Sequence, residues 1–211
     1  MTAAVVFVVD DDPSVRKSLA RVMTSAGYAV ETFASAKDFM ARAPSPGPCC
    51  VVLDVRMPGL TGLDLQEALV GAGRRVPIVF ITGHGDISMS VKAMKAGAVD
   101  FLTKPFDVHS LLTAIRHALD KDVKDRGEAS QTADVLARVR RLTPRETEVF
   151  ALVVTGMLNK QIAGKLGVGE KTVKVHRARV MEKMQAGSVA ELVRLADRAG
   201  VVVPRPGSAP L

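Results

Sequence analysis

The sequence predicts an α/β domain, built as a doubly wound, five-stranded parallel sheet, followed by a small all-α domain of four helices. Three observations lead there. In the first 120 or so residues, apolar β-branched runs alternate five times with segments of helical periodicity. That is the pattern of a parallel sheet covered on both faces by right-handed crossovers. From residue 142 the strand-like runs stop and four helical segments follow. Charge divides in the same way: residues 1–120 carry twelve basic and twelve acidic side chains, so the whole net charge of +7 falls in residues 121–211. A neutral domain joined to a basic one predicts an anionic partner for the second alone.

With 211 residues, 47% of them hydrophobic, the chain is long enough for two separate cores. No apolar run approaches the length of a membrane helix, so no membrane association is expected. Residues 5–9 are too short for the apolar core of a signal peptide, and Asp10 follows them directly. The two cysteines, Cys49 and Cys50, are adjacent and read as small buried hydrophobes of a reduced, cytoplasmic protein.

The first strand is 5–9, Val-Val-Phe-Val-Val, ending in Asp10, Asp11 and Asp12. Val15, Leu19, Val22 and Met23 recur at helical spacing up to Gly27. Residues 28–33 form the second strand and 35–43 a short helix, before a Pro-rich loop at 44–48. The third strand, around Cys50-Val51-Val52-Leu53, reads as buried on both faces; it delivers Asp54 just before the turn at Met57-Pro58-Gly59. A helix over 62–70, a strand over 76–82 ending in Thr82 and a helix over 88–95 closed by Gly97 come next. A fifth strand over 99–104 ends in Lys104 before Pro105, and a helix runs from 108 to about 119.

Strand ends in a doubly wound sheet share one edge, so Asp10, Asp11, Asp54, Thr82 and Lys104 are expected to converge. Three carboxylates repel one another and call for a counter-charge, which a hard divalent cation with oxygen ligands supplies. Asp12 reads instead as a turn or helix-start residue, Asp100 as a turn and Asp107 as a helix cap. His84, His109 and His117 have no metal-ligand spacing and read as surface or loop positions.

Residues 121–141 are strongly charged, with Gly127 as the only breaker, and read either as a flexible linker or as a helical continuation. Thr143-Pro144-Arg145-Glu146 is a helix start with a capping box, and Val149, Phe150, Leu152 and Val153 give its buried face. Asn159 is expected to cap a short helix with Ile162, Ala163 and Leu166 inward. Gly167-Val168-Gly169 then turns the chain into a longer basic helix over 170–185, a helix-turn-helix pattern. Val173, Val180 and Met184 fall on one side of that helix; Lys171, Val175, Ala178 and Glu182 fall on the other, flanked by Lys174 and Arg179. Such a basic face with small apolar residues fits the major groove of DNA. A fourth helix covers 188–198, and residues 201–211 are expected to be a disordered tail.

The strand-end residues, with the wording Leu53-Asp54-Val55-Arg56-Met57-Pro58-Gly59, Ile81-Thr82-Gly83 and Lys95-Ala96-Gly97 through Lys104-Pro105-Phe106, resemble the receiver domain of two-component response regulators, a flavodoxin-like fold. Thr82-Gly83-His84-Gly85-Asp86 looks most like the FixJ branch of the NarL/FixJ type. The resemblance implies that Asp54 accepts a phosphoryl group from a sensor histidine kinase. It further implies Mg²⁺ (or Mn²⁺) held by Asp11, Asp54 and the backbone carbonyl of Arg56, with Asp10 acting directly or through water. Lys104, Thr82 and Phe101 would be the switch residues, and Lys104-Pro105 a cis bond.

Residues 142–200 resemble the LuxR-type DNA-binding domain through Leu142-Thr143-Pro144-Arg145-Glu146, Asn159-Lys160-Gln161-Ile162-Ala163 and Lys171-Thr172-Val173-Lys174-Val175-His176. This resemblance implies DNA contacts by Lys171, Thr172, Lys174, Val175, His176, Arg177 and Arg179, and pairing of two subunits through Val189, Leu192 and Leu195. Gly169 stands where the family often has a Ser or Thr cap. The expectation is a cytoplasmic transcription factor, not a turnover enzyme, that binds promoter DNA as a homodimer on phosphorylation, and RNA polymerase if it is an activator. A haloacid-dehalogenase phosphatase would need a carboxylate at position 56, where Arg56 stands, and the P-loop pattern G-x-x-x-x-G-K-[ST] is absent. An adaptor whose basic helix binds an acidic protein is the third reading, one that salt-dependent DNA binding would exclude.

Overall fold

The computed structural model describes residues 4–83 and 87–201, so the expectations for His84 and for the tail from 202 onward lie outside the described residues. The chain forms two compact units, Met1–Arg126 and Gly127–Leu211.

In the first unit, strands β1 (Val5–Val9), β2 (Ala29–Phe33), β3 (Cys49–Asp54), β4 (Ile78–Thr82) and β5 (Asp100–Thr103) pair in parallel in the order β2-β1-β3-β4-β5. Each strand lies within two residues of its expected bounds. The strand order reverses between β1 and β3, and ligands of open α/β sheets bind beyond the carboxyl ends of strands at such a switch point. Asp10 follows β1 and Asp54 ends β3, so the two flank it.

The strands bury both faces, as their unbroken apolar runs require. Phe7, Val9, Val51, Leu53 and Phe80 point to one side, with Phe39, Leu65 and Leu69 from helices α2 (Ala36–Ala41) and α3 (Gly62–Gly71). Val6, Val8, Val52, Val79 and Ile81 point to the other, against Leu19 and Met23 of α1 (Pro13–Ser25) and Leu111 and Ile115 of α5 (Val108–Val139). Full burial of each such side chain contributes about 1.5–3 kcal/mol. Local chemistry fixes the helix starts. Asp12 caps α1 by accepting from Ser14 and Val15, and Thr61 and Asp64 form a capping box on α3. Asp107 accepts from Ser110 at the start of α5. Helix α4 (Ile87–Lys95) completes the covering layer.

Of the two readings left open for residues 121–141, the structure adopts the helical one as far as Val139. Asp122 on α5 is 2% exposed. Its Oδ2 accepts the backbone N–H of Cys49 at 2.8 Å and the Nε of Arg126 at 2.6 Å, while Arg126 also donates to the Ser45 carbonyl. The first unit therefore runs six residues past the boundary expected at 120. Burial pushes the Cys49 and Cys50 thiols up, away from reactivity.

The second unit packs α6 (Pro144–Val153), α7 (Asn159–Leu166), α8 (Glu170–Met184) and α9 (Val189–Arg198) around Val149, Phe150, Ile162, Val173, Val180, Met184, Leu192 and Ala196, with Val135 joining them from residues 127–139. Thr143 and Glu146 form the expected capping box on α6. The expected role of Asn159 is corrected, because the cap of α7 is Leu158, whose N–H donates to Gln161 Oε1 at 2.8 Å, and Asn159 is the first helical residue.

Candidate functional sites

At the carboxyl edge of the sheet, Lys104 reaches back from the end of β5 to bridge two carboxylates. Its Nζ donates to Asp54 Oδ1 at 2.8 Å and to Asp10 Oδ2 at 2.9 Å. Asp10 is 1% exposed and Asp54 6%, so without the ammonium two buried charges would stand unpaired. The remaining oxygens are also engaged: Asp54 Oδ2 accepts the N–H of Arg56 at 2.7 Å, and Asp10 Oδ1 that of Asp12 at 2.9 Å.

Burial pushes the Asp54 carboxyl above the ordinary aspartate value, and the charge of Asp10 adds to it. The hydrogen bond and charge of Lys104 and the N–H of Arg56 pull the other way. For Lys104 burial favours the neutral amine, but its hydrogen bonds to Asp54 and Asp10 and their charges overcome this and hold it above the ordinary lysine value. Thr82, at the end of β4, is wholly buried, and its carbonyl accepts the Lys104 N–H at 2.7 Å. The Lys104-Pro105 bond is cis, as the resemblance implies. Phe101 is half-buried, with its ring centroid 6.2 Å from that of Phe80.

Asp10, Asp54, Thr82 and Lys104 come together at this edge, and Asp11 directly follows Asp10 at the end of β1. The Asp11 side chain is exposed, and among the described residues no three His, Cys, Asp or Glu side chains gather closely enough to hold a metal ion. The Lys104 ammonium lies between the two buried carboxylates. The donor chemistry still fits a hard divalent cation: the groups are all carboxylate oxygens, and three negative charges against one ammonium leave an excess of two.

Two neighbours of this site were not legible as functional. Gly62, at the start of α3, lies so close beneath Asp54 that a Cβ there would collide with the Asp54 carbonyl oxygen and press on Leu53 and Phe80. Arg16, on α1, donates from Nη1 to the Asp10 carbonyl at 2.6 Å. A Gly at the start of a helix and an Arg one turn into another are signals too common to single them out.

In the second unit, Gly167 ends α7 with a φ of 65°, and Gly169 is the N-cap of α8. This tight turn fixes which side of α8 is free. Val173, Val180 and Met184 are wholly buried, while Lys171, Thr172, Lys174, Val175, Ala178 and Arg179 are exposed. His176 and Arg177 are half-buried. His176 Nδ1 is buried without a hydrogen-bond partner. The head of Arg177, implied by the resemblance as a DNA contact, donates to Asn159 Oδ1 at 2.9 Å and ties α8 to the start of α7. Beneath this surface, Glu146 accepts from the Thr143 N–H at 2.8 Å and from Lys183 Nζ at 2.6 Å. The hydrogen bonds from Lys183 and Thr143 hold its carboxyl down at about 2.

The expectation for subunit pairing is corrected at Leu192. It is wholly buried in its own unit's core, so it is not available to a second copy; Val189 and Leu195 are half-buried against that core.

A parallel sheet with an acidic pair and a lysine at its switch point, and a helix-turn-helix with a basic outer face, define a signal-receiving module and a nucleic-acid-binding module. The chain matches the response regulator receiver domain over residues 6–116, and the luxR family of bacterial regulatory proteins over residues 140–196. It belongs to the response regulators of this two-domain kind. Among its relatives, Nodulation protein W of Bradyrhizobium diazoefficiens is 47% identical over 200 residues, covering 95% of this chain and 88% of that protein. The transcriptional regulatory protein FixJ of Rhizobium meliloti is 44% identical over 200 residues, with 95% and 98% covered. Of the solved structures, the response regulator StyR superposes with a TM-score of 0.81 at 48% identity, covering 93% of this chain and all of that one.

Proposed function

We propose that this response regulator is a transcription factor switched by phosphorylation of Asp54. The observation that carries the proposal is the position of Asp54: a buried carboxylate at the switch point, in hydrogen-bond contact with the Lys104 ammonium. An Asp54 carboxylate oxygen attacks the phosphorus of a sensor histidine kinase's phosphohistidine in line; the P–N bond breaks, and the imidazole leaves with its electron pair. Lys104 exchanges a carboxylate oxygen for a phosphoryl oxygen. Thr82 donates its hydroxyl to the phosphoryl group, and Phe101 follows its movement.

Asp10, Asp11, Asp54 and the Arg56 carbonyl would hold Mg²⁺ (or Mn²⁺), with Asp11 turning inward. When bound, the ion supplies positive charge to the phosphoryl oxygens.

The phosphorylated receiver favours a homodimer that presents two α8 helices to promoter DNA. In this reading Lys171, Thr172, Lys174, Val175, His176 and Arg179 line the DNA-facing side, and Val189 and Leu195 remain as contacts between the DNA-binding domains. RNA polymerase is the further partner if the protein is an activator. Moving such a switch from 1:99 to 99:1 takes about 5.5 kcal/mol of bias. The experiment is Asp54→Asn, with DNA affinity measured with and without a small phosphodonor. The donor is expected to tighten DNA binding by the wild type alone; donor-dependent tightening in the variant would overturn the mechanism.

A further inference from the structure

We infer that Arg16 is a positioning residue for the acidic site, setting its affinity for a divalent cation through the peptide bond between Asp10 and Asp11. The inference rests on the metal-binding part of the proposed function. Three carboxylates follow one another just before α1, yet Arg16 Nη1 donates to none of them; it donates to the main-chain carbonyl of Asp10, at 2.6 Å. That carbonyl belongs to the planar unit whose other end is the N–H of Asp11. Fixing the carbonyl fixes the plane before Asp11, and the held N–H of Asp12 fixes the plane after it, so together they set the direction in which the Asp11 side chain leaves the backbone.

The rest of the loop is held at its two ends. Asp10 Oδ1 accepts the N–H of Asp12 at 2.9 Å, and Asp12 Oδ1 accepts the N–H of Ser14 at 2.7 Å as the cap of α1. Between these anchored residues, Asp11 has an exposed side chain, so its aim depends on its backbone. Arg16 itself is anchored, because its N–H makes the first turn of α1 with the Asp12 carbonyl at 3.0 Å. One guanidinium, rooted in the helix that Asp12 starts, thus sets the one peptide plane that the Asx-type contacts leave free.

Outer-shell partners of metal ligands typically change metal affinity by about 10–100-fold. The test titrates full-length wild type, Arg16→Ala, Arg16→Lys and the neighbouring Lys17→Ala with MgCl₂ by calorimetry, alongside thermal unfolding of each. Arg16→Ala is expected to weaken Mg²⁺ binding about tenfold, Arg16→Lys to restore part of it and Lys17→Ala to leave it unchanged. At saturating Mg²⁺, phosphorylation of Arg16→Ala by acetyl phosphate is expected to return to within about threefold of wild type. Mg²⁺ affinity within twofold of wild type in a folded Arg16→Ala protein overturns the inference. So does an equal loss in Lys17→Ala, which would mark a simple effect of net charge. A wild-type protein that takes up no Mg²⁺ overturns the metal-site reading itself, and the role of Arg16 with it.

Discussion

Removing the Lys104 ammonium isolates the force that holds the acidic site together. In Lys104→Ala the buried Asp10 and Asp54 carboxylates lose their shared cation. Deleting one partner of a buried ion pair costs about 3–5 kcal/mol. The Lys104 side chain is 27% exposed, so water already screens part of the attraction, and the expected loss at neutral pH is about 2–3 kcal/mol.

The sign of the pH dependence follows from the same contacts. In the wild type, burial raises the Asp54 pKa and Lys104 lowers it. The variant keeps the raising influences and loses those of Lys104, with only the Arg56 N–H left to lower it, so the folded-state pKa climbs further above the unfolded value of about 3.9. A carboxyl raised on folding destabilises the fold as pH rises past its unfolded pKa, so the cost of the substitution grows from pH 4 upward and fades in acid. The chain has one tyrosine and no tryptophan, and Tyr28 packs against the core of the first unit, so its fluorescence during urea unfolding reports that unit. Ten millimolar Mg²⁺ is expected to stabilise the variant more than the wild type, since it replaces the missing charge. A loss under about 1 kcal/mol, or the same loss at pH 5 and pH 7.5, would refute the account.

Gly62→Ala is expected to destabilise the first unit by about 3 kcal/mol, the upper end for overpacking, because the colliding atom is backbone and cannot rotate away; urea unfolding measures it, and a loss under about 1 kcal/mol would count against the close approach. Glu146→Gln keeps the cap of α6 but loses the ion pair with Lys183. With the folded carboxyl held down at about 2, the wild-type advantage is present above the ordinary value of 4.5 and lost as pH falls through 2, so thermal melts of the two should converge in acid. On DNA, Lys174→Ala is expected to weaken binding alike on specific and random sequences and to lower the salt slope by about one, whereas Val175→Ala changes base preference. Equal losses on both kinds of DNA for Val175→Ala would remove it from the base-reading face.

The strands were legible because central parallel strands are buried on both faces and read as unbroken apolar runs; the polar residues that end them then mark the site. Adjacency hid the asymmetry between Asp10 and Asp11, since sequence does not say which of two successive carboxylates enters the core. The reach of α5 was hidden by Gly127 and by a run of charges that looks solvated, although Asp122 within it is buried. Leu192 misled because an apolar helix face looks the same whether it covers its own core or a partner. Asn159 misled by one position, because Gln161 rather than a capping side chain satisfies the first N–H of the turn.

The buried Asp122 bears on how modules of this kind can be recombined. A junction cut at residue 120, where the sequence pattern changes, would discard the carboxylate that accepts the Cys49 N–H at the root of β3. It would leave a buried donor unsatisfied, a cost of about 1–3 kcal/mol, on the strand whose other end carries Asp54. Chimaeras that graft a new output onto this receiver should therefore keep its chain through Arg126 and splice beyond it. Melting temperatures of fragments ending at 120 and at 126 would measure the difference.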